Sequence, residues 1–220
     1  MKQDCLGERY IACGKSAGHY ALRGTPGNAL GAYLDGATIE LAGNAQDATG
    51  DTMNGGSITI HGGTGDAVGY AMRGGSIYVR DNAGYRAGIH MKAYEDTVPV
   101  LVIGGRAGSF LGEYQAGGMI IVLGLGCEKE TAPVGYFCGT GMHGGRIYLR
   151  SNVLPKDLPE QVCAKKAEAE DMALIEGYLQ TFCEKFGMDR ERDLSGNYFV
   201  LTPNAANPYK TLYVFNWGQP

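Results

Sequence analysis

Apolar and polar positions alternate in short runs that return at a nearly fixed interval along this chain. The runs are centred on Ile39, Ile58, Ile77, Leu101, Ile120 and Ile147. Ser57-Ile-Thr-Ile60, Ser76-Ile-Tyr-Val79, Met119-Ile-Ile-Val122 and Arg146-Ile-Tyr-Leu149 are β-branched or aromatic with period-two alternation, the pattern of strands. Each run follows a glycine frame whose anchors Gly31, Gly50, Gly69 and Gly88 stand 19 residues apart, and Gly112 and Gly139 continue the series after longer steps. Gly27, Gly65, Gly84, Gly108 and Gly135 precede five of these anchors by four residues, with Gln46 in the second copy. Gly36, Gly55, Gly74, Gly117 and Gly144 follow anchors by five, the fourth copy departing. Glycine at fixed places costs about 1 kcal/mol each in a helix but suits corners where φ is positive or another backbone passes close. A strand with glycine corners repeated every 19 residues predicts an all-β fold, a parallel β-helix or solenoid. Leu34, Met53, Met72 and Met142 share one position in the frame and are expected inside, Gln115 being the exception.

The frame divides the chain. Residues 1–26 are expected to form an N-terminal cap and irregular first coil, with apolar runs at 9–12 and 19–22; residues 27–153 form the glycine-repeat β-helix. Residues 154–220 supply a C-terminal helix and tail that pack on the solenoid. Insertions at 92–98 and 125–133 predict protruding loops, which in repeat proteins often lie on a binding face. After Pro155 and Pro159, residues 160–186 read as a helix, with Ile175, Tyr178, Leu179, Phe182 and Phe186 on one stripe and Gly187 as the C-cap residue. It is expected to cover the open end of the stack, which would otherwise be an aggregation-prone edge. Short tail strands are expected at 198–202 and 211–215.

Composition narrows the chemistry. The 36 glycines in 220 residues are periodic without a Gly-X-Y triplet, which excludes collagen. A net charge of −4 without a Lys/Arg cluster argues against a nucleic-acid partner. No apolar run is long enough for a membrane span, and the first residues lack the apolar core of a signal peptide, so a cytoplasmic protein is expected. Cys5, Cys13, Cys127, Cys138, Cys163 and Cys183 match no zinc or iron–sulfur spacing and are read as reduced thiols. Gly139-Thr-Gly-Met-His-Gly144 has dinucleotide-site spacing but leads into a strand rather than a helix. His61, Arg80 and Arg150 share one outer row, yet no acidic row accompanies them for the work of a lyase or glycosidase. His143 reads as a structural histidine. Arg86, His90 and Lys92, with Tyr94 and Glu95 in the adjoining insertion, are the candidate partner contacts. No catalytic, cofactor-binding or metal-binding residue emerges, which points to a scaffold or subunit.

Five segments carry a family resemblance: residues 43–53, 65–75, 84–92 (Gly84-Tyr-Arg-Ala-Gly-Ile-His-Met-Lys92), 108–114 (Gly108-Ser-Phe-Leu-Gly-Glu-Tyr114) and 139–145. They resemble the glycine-repeat (GXGXG) domain at the C-terminus of the glutamate synthase large subunit, over about residues 9–153 and more weakly beyond. The resemblance implies a right-handed β-helix without catalytic residues. It implies partners of the glutaminase type and of the FMN-binding type, with FMN and an iron–sulfur cluster in those partners and none in this chain. Lys2 stands where that family's glutaminase module has its cysteine nucleophile, and Cys5 cannot become it by removal of Met1. A stand-alone scaffold subunit of a glutamate-synthase-like complex is therefore expected, with self-association open. The C subunit of formylmethanofuran dehydrogenase shares the glycine repeats and is the alternative subunit reading. An independent β-helix enzyme acting on a carbohydrate or ester is the alternative from another class.

Overall fold

The computed structural model describes residues 3–204. The expected tail strand at 211–215 lies outside the described residues. The chain is mostly β. Strands β1 (Gln3–Asp4), β2 (His19–Arg23), β3 (Asp35–Ala42), β4 (Gly55–Ile60), β5 (Ser76–Val79), β6 (Val100–Ile103), β7 (Ala116–Val122) and β8 (Gly144–Arg150) pair in sequence order, each parallel to the next. After β9 (Val162–Lys166), α1 (Ala169–Phe186) and α2 (Arg190–Leu194), strand β10 (Tyr198–Pro203) returns antiparallel to β8 and carries β9 on its other side. The result is one mixed ten-stranded sheet.

Register follows the sequence period. Ile39, Ile58, Ile77, Leu101, Ile120 and Ile147 stand opposite one another across successive strands. With Leu41, Ile60, Val79, Ile103, Val122 and Leu149 two residues on, they form the main core. Leu34, Met53, Met72 and Met142 are fully buried in the same core, as expected, and Met91 belongs to the same row. Gln115 is also fully buried there, and its Nε2 donates to the carbonyls of Gly117 and Gly118 at 3.2 and 3.1 Å. Burying each such apolar side chain contributes roughly 1.5–3 kcal/mol.

The corners explain the glycine frame. Around each anchor, positive φ recurs at alternate residues: Ala29, Gly31 and Tyr33; Ala48, Gly50 and Thr52; Ala67, Gly69 and Ala71; Arg86, Gly88 and His90. This alternation aims successive N–H groups in opposite directions. Ala29 and Tyr33 donate forward to the carbonyls of Asp47 and Asp51, whereas Gly31 donates back to Ile11. Every repeat is thus bonded to both neighbours outside the strands as well as within them. The pattern also occurs at Tyr10, Ala12 and Gly14, so residues 9–12 form a corner rather than an extended run, and Ala12 stands where later repeats have the anchor glycine.

A second row of glycines makes room for polar side chains. Asp47 Oδ1 accepts the N–H of Asp66 at 2.9 Å, and Asp66 Oδ1 accepts that of Tyr85 at 2.8 Å. A Cβ at Gly65 or Gly84 would collide with those same carboxylate oxygens. No such bond runs from Asn28, among the described residues, and there the glycine is replaced by Gln46.

The C-terminal region differs from expectation in two respects. The helix begins at Ala169 rather than at residue 160, because residues 162–166 pair with β10 as β9. The helix also covers a face of the sheet, not its end. The outer row reads Ala21, Glu40 and Thr59, then Tyr78, Val102, Ile121, Tyr148 and Val200. Its apolar half packs against Ile175, Leu179, Phe182 and Cys183 of α1 and Leu194 of α2 in a second core. The end of the stack is covered by β10 and by residues 157–162, where Val162 faces Gly139 and Leu158 packs on the main core.

Candidate functional site

The alternating corners turn specific side chains outward, and the stacking sets equivalents side by side at about 4.8 Å per repeat. In the first repeats these positions hold the exposed Tyr10 and Tyr33 beside small or acidic residues such as Ala29, Ala48, Asp47 and Asp51. From Tyr70 onward ring contacts between neighbouring repeats become frequent. The residue two before the anchor is Arg86, then Phe110, then Phe137; the residue two after it is His90, then Tyr114.

These side chains form two ring clusters, one of Tyr85, Arg86, Phe110, Tyr136 and Phe137 and one of Tyr70, His90 and Tyr114. The rings of Phe110 and Phe137 lie 4.9 Å apart, and Tyr85 meets Phe110 at 5.2 Å. His90 stacks on Tyr114 at 5.2 Å with 14° between planes, while Tyr70 meets His90 edge-on at 5.9 Å. The Arg86 guanidinium lies 4.9 Å from the Tyr85 ring centre and 5.5 Å from that of Phe110. Its Nε donates to Glu113 Oε2 at 2.8 Å, and this bond pushes the Arg86 pKa further up. Glu113 is buried at 7% exposure, so Arg86 both neutralises it and holds the ring cluster in place. Tyr136 is 70% and Phe137 48% exposed, although aromatic side chains of this kind usually bury most of their surface. Exposed rings around a fixed Arg are the composition of the energetic centres of protein interfaces. Exposed large rings are the candidate interaction surface of this molecule.

The five residues singled out in the sequence divide between two places. Arg86 and His90 belong to the aromatic surface. Lys92 and Tyr94 line a separate cleft of about 490 Å³ with Asn54, Arg73 and Thr97. Arg73 and Lys92 are equivalent residues of adjacent repeats, which makes that wall cationic. Reciprocal backbone bonds between Tyr94 and Thr97, at 3.1 and 2.9 Å, close the insertion loop, and Glu95 lies at its tip with φ of 52°. The sequence reading missed Tyr70, Tyr85, Phe110, Tyr114, Tyr136 and Phe137. The signal that finds them is their recurrence within three residues of the anchor glycines, read down the stack rather than along the chain.

The row of His61, Arg80 and Arg150 is engaged in local contacts. His61 Nε2 lies 3.1 Å from Glu40 Oε1 and its ring meets Phe186 edge-on. Arg80 pairs with Asp81, and Arg150 donates to the carbonyls of Ser195 and Leu123. Among the described residues no group of three or more His, Cys, Asp or Glu side chains is placed to hold a metal, and no helix is long and apolar enough to cross a membrane. The six cysteines are unpaired; burial pushes the Cys138 thiol up to about 12, which keeps it protonated and unreactive.

Comparison with known proteins bears on the whole described chain. The model of the GXGXG motif family matches residues 3–205. Over 219 residues the chain is 47% identical to a protein of Methanocaldococcus jannaschii named Uncharacterized protein MJ1350, an alignment covering 96% of this chain and 84% of that protein.

Proposed function

The chain belongs to the GXGXG motif family, to which the C-terminal domain of glutamate synthase also belongs, and from that premise we propose that it is a non-catalytic scaffold subunit of a glutamate-synthase-like complex. Its repeats coil as a right-handed β-helix. The parallel register of β1 to β8, the 19-residue step and the corner bonds between successive repeats support that reading. A stack bonded to itself on every side is stiff, and it holds two partners at a fixed separation. The partners are a glutaminase module and an FMN/iron–sulfur module, which bring the catalytic residues and cofactors. The complex works in the cytoplasm.

The observation that carries the docking role is the exposed aromatic surface around the Arg86–Glu113 pair. The loop bearing Tyr94 and Glu95 is the second contact. Affinity isolation of the tagged chain from its native cells, with quantitative mass spectrometry, tests both. A glutaminase-type chain and a flavin-containing chain should be recovered in constant ratio. Tyr114→Ala combined with Tyr136→Ala should lose one of them without lowering the unfolding temperature. A chain recovered alone would overturn the scaffold role. A molybdenum or tungsten oxidoreductase in the eluate would assign the chain to a formylmethanofuran dehydrogenase-like complex instead.

A further inference from the structure

We propose that the cleft beside the 92–98 insertion binds a small molecule through a phosphoryl group, a site that does not rest on the docking role. Asn54, Arg73 and Lys92 are equivalent residues of three successive repeats. Their backbone N–H groups donate to the carbonyls of Leu34, Met53 and Met72, one repeat back, at 2.8, 2.8 and 3.0 Å. The three therefore stand one above another, about 4.8 Å apart per repeat. With Tyr94 and Thr97 they line a cleft of about 490 Å³, a volume in the range of small-molecule sites. The insertion, which belongs to the Gly88 repeat, is seated against glycines of the repeats on either side. Thr97 Cγ2 lies where a Cβ at Gly74 would collide with it, and Ala93 does the same at Gly117. The wall that carries Tyr94 and Thr97 is thus fixed at both ends and closed by their reciprocal backbone bonds.

The lining is a set of donors. The Arg73 guanidinium presents a planar fork of N–H groups and the Lys92 ammonium a compact charge, and the Asn54 amide and the Tyr94 and Thr97 hydroxyls can each donate as well. No carboxylate lines the cleft. Glu95 and Asp96 follow Tyr94 in the insertion without joining the wall, and Asp35, the equivalent of Asn54 one repeat back, lies beyond it. Among the described residues neither Arg73 nor Lys92 has an ion pair or a side-chain hydrogen bond, whereas Arg80, Arg86 and Arg190 each hold a carboxylate. Two uncompensated cations on adjacent repeats of a chain with net charge −4 make a local field that draws anions. Standing one repeat apart, they converge on one dianionic group. A phosphomonoester carries about −1.5 to −2 at neutral pH and three strong acceptor oxygens, enough to engage the fork, the ammonium and a neutral donor together. A carboxylate brings a single charge and two oxygens. Tyr94, 64% exposed, is the aromatic side of the cleft, beside which the rest of the ligand would lie.

Isothermal titration calorimetry of the isolated full-length protein at low ionic strength tests the site, with inorganic phosphate, phenyl phosphate and succinate as probes. Both phosphates should bind saturably, succinate more weakly, and added salt should weaken all three. Arg73→Gln and, separately, Lys92→Gln should each weaken phosphate binding about ten-fold or more. Lys166→Gln, which removes an exposed cation elsewhere, should leave it unchanged. Arg73 and Lys92 are both exposed, so the variants should keep the far-ultraviolet circular dichroism of the unmodified protein. Amide chemical-shift changes in the unmodified protein, expected around residues 54, 73 and 92–97, locate the site without any substitution. Absence of saturable phosphate binding would overturn the proposal. So would binding that both variants leave unchanged, or shift changes confined to other residues, since the contact would then be adventitious. Succinate binding more tightly than either phosphate would overturn the phosphoryl assignment and mark the cleft as a berth for carboxylates, a docking partner's included. No partner is present in these measurements, so their failure is separate from failure of the docking role.

Discussion

At Gly43 the carbonyl oxygen of Gly24 occupies the space where a side chain would begin, and φ is +155°. At Gly69 φ is +68°, but the nearest atom a Cβ would meet is Leu101 Cδ2 at 3.7 Å. The two glycines are needed for different reasons: close approach of the neighbouring backbone in the first case, dihedral angle alone in the second. Ala12, Ala67 and Ala71 hold the left-handed conformation, so its penalty is bearable at a corner. Gly69→Ala should cost about 1 kcal/mol, whereas Gly43→Ala should cost about 3 kcal/mol or more. Equilibrium denaturation of the two variants measures the difference, and an equal or reversed order would contradict this account. At the same scale Arg86 and His90 were legible in the sequence because basic residues cluster there. The rings beside them were not, because a single aromatic residue in a turn has no meaning until its equivalents are stacked on it.

Helix α1 is held at its start by an arrangement of charges. Glu168 and Asp171 form a reciprocal capping box, and Lys165 of β9 reaches Asp171 at 2.9 Å. Lys165, and then the backbone N–H of Glu168, hold the Asp171 carboxyl below the usual carboxylate range. A carboxylate depressed in the folded state contributes stability that is complete above its unfolded pKa of about 3.9. That contribution is lost as pH falls through the lowered folded value. Asp171→Asn should therefore destabilise by about 1 kcal/mol near neutral pH, with the gap closing as acid protonates the unmodified protein. Denaturation curves taken from neutral to below about pH 3.5 check this; a gap independent of pH would show that charge plays no part. The helix itself was legible from its stripe, but its start was misread. Residues 162–166 alternate poorly, and they become a strand because β10 offers them a partner. Its berth was in the sequence too, since Tyr78, Val102, Ile121 and Tyr148 make the later strands apolar on both faces.

A stack bonded repeat to repeat has its weak points at the ends, where one neighbour is missing. At the last corner Asp157 supplies the acceptor that a following repeat would have supplied, with its carboxylate on the N–H of Phe137. Asp157→Ala should raise amide exchange at Phe137 and its corner about ten-fold, the equivalent of a bond contributing about 1.4 kcal/mol. Exchange in β3 to β5 should stay unchanged. A uniform rise across the whole sheet would mean that the molecule opens as one unit rather than from its end.

The sequence by itself determined the period, the strands, the inward row of Ile, Leu and Met, and the recurring glycine positions. These depend on contacts between residues 19 apart, and a contact made at constant spacing is written into the chain as a repeat. The tertiary structure alone decided where α1 lies, that β9 exists, that Ala12 can serve as a corner, and that scattered rings come into contact. Those outcomes depend on which faces remain uncovered once the repeats are stacked, and burial of an uncovered face is a property of the assembled sheet rather than of any segment within it.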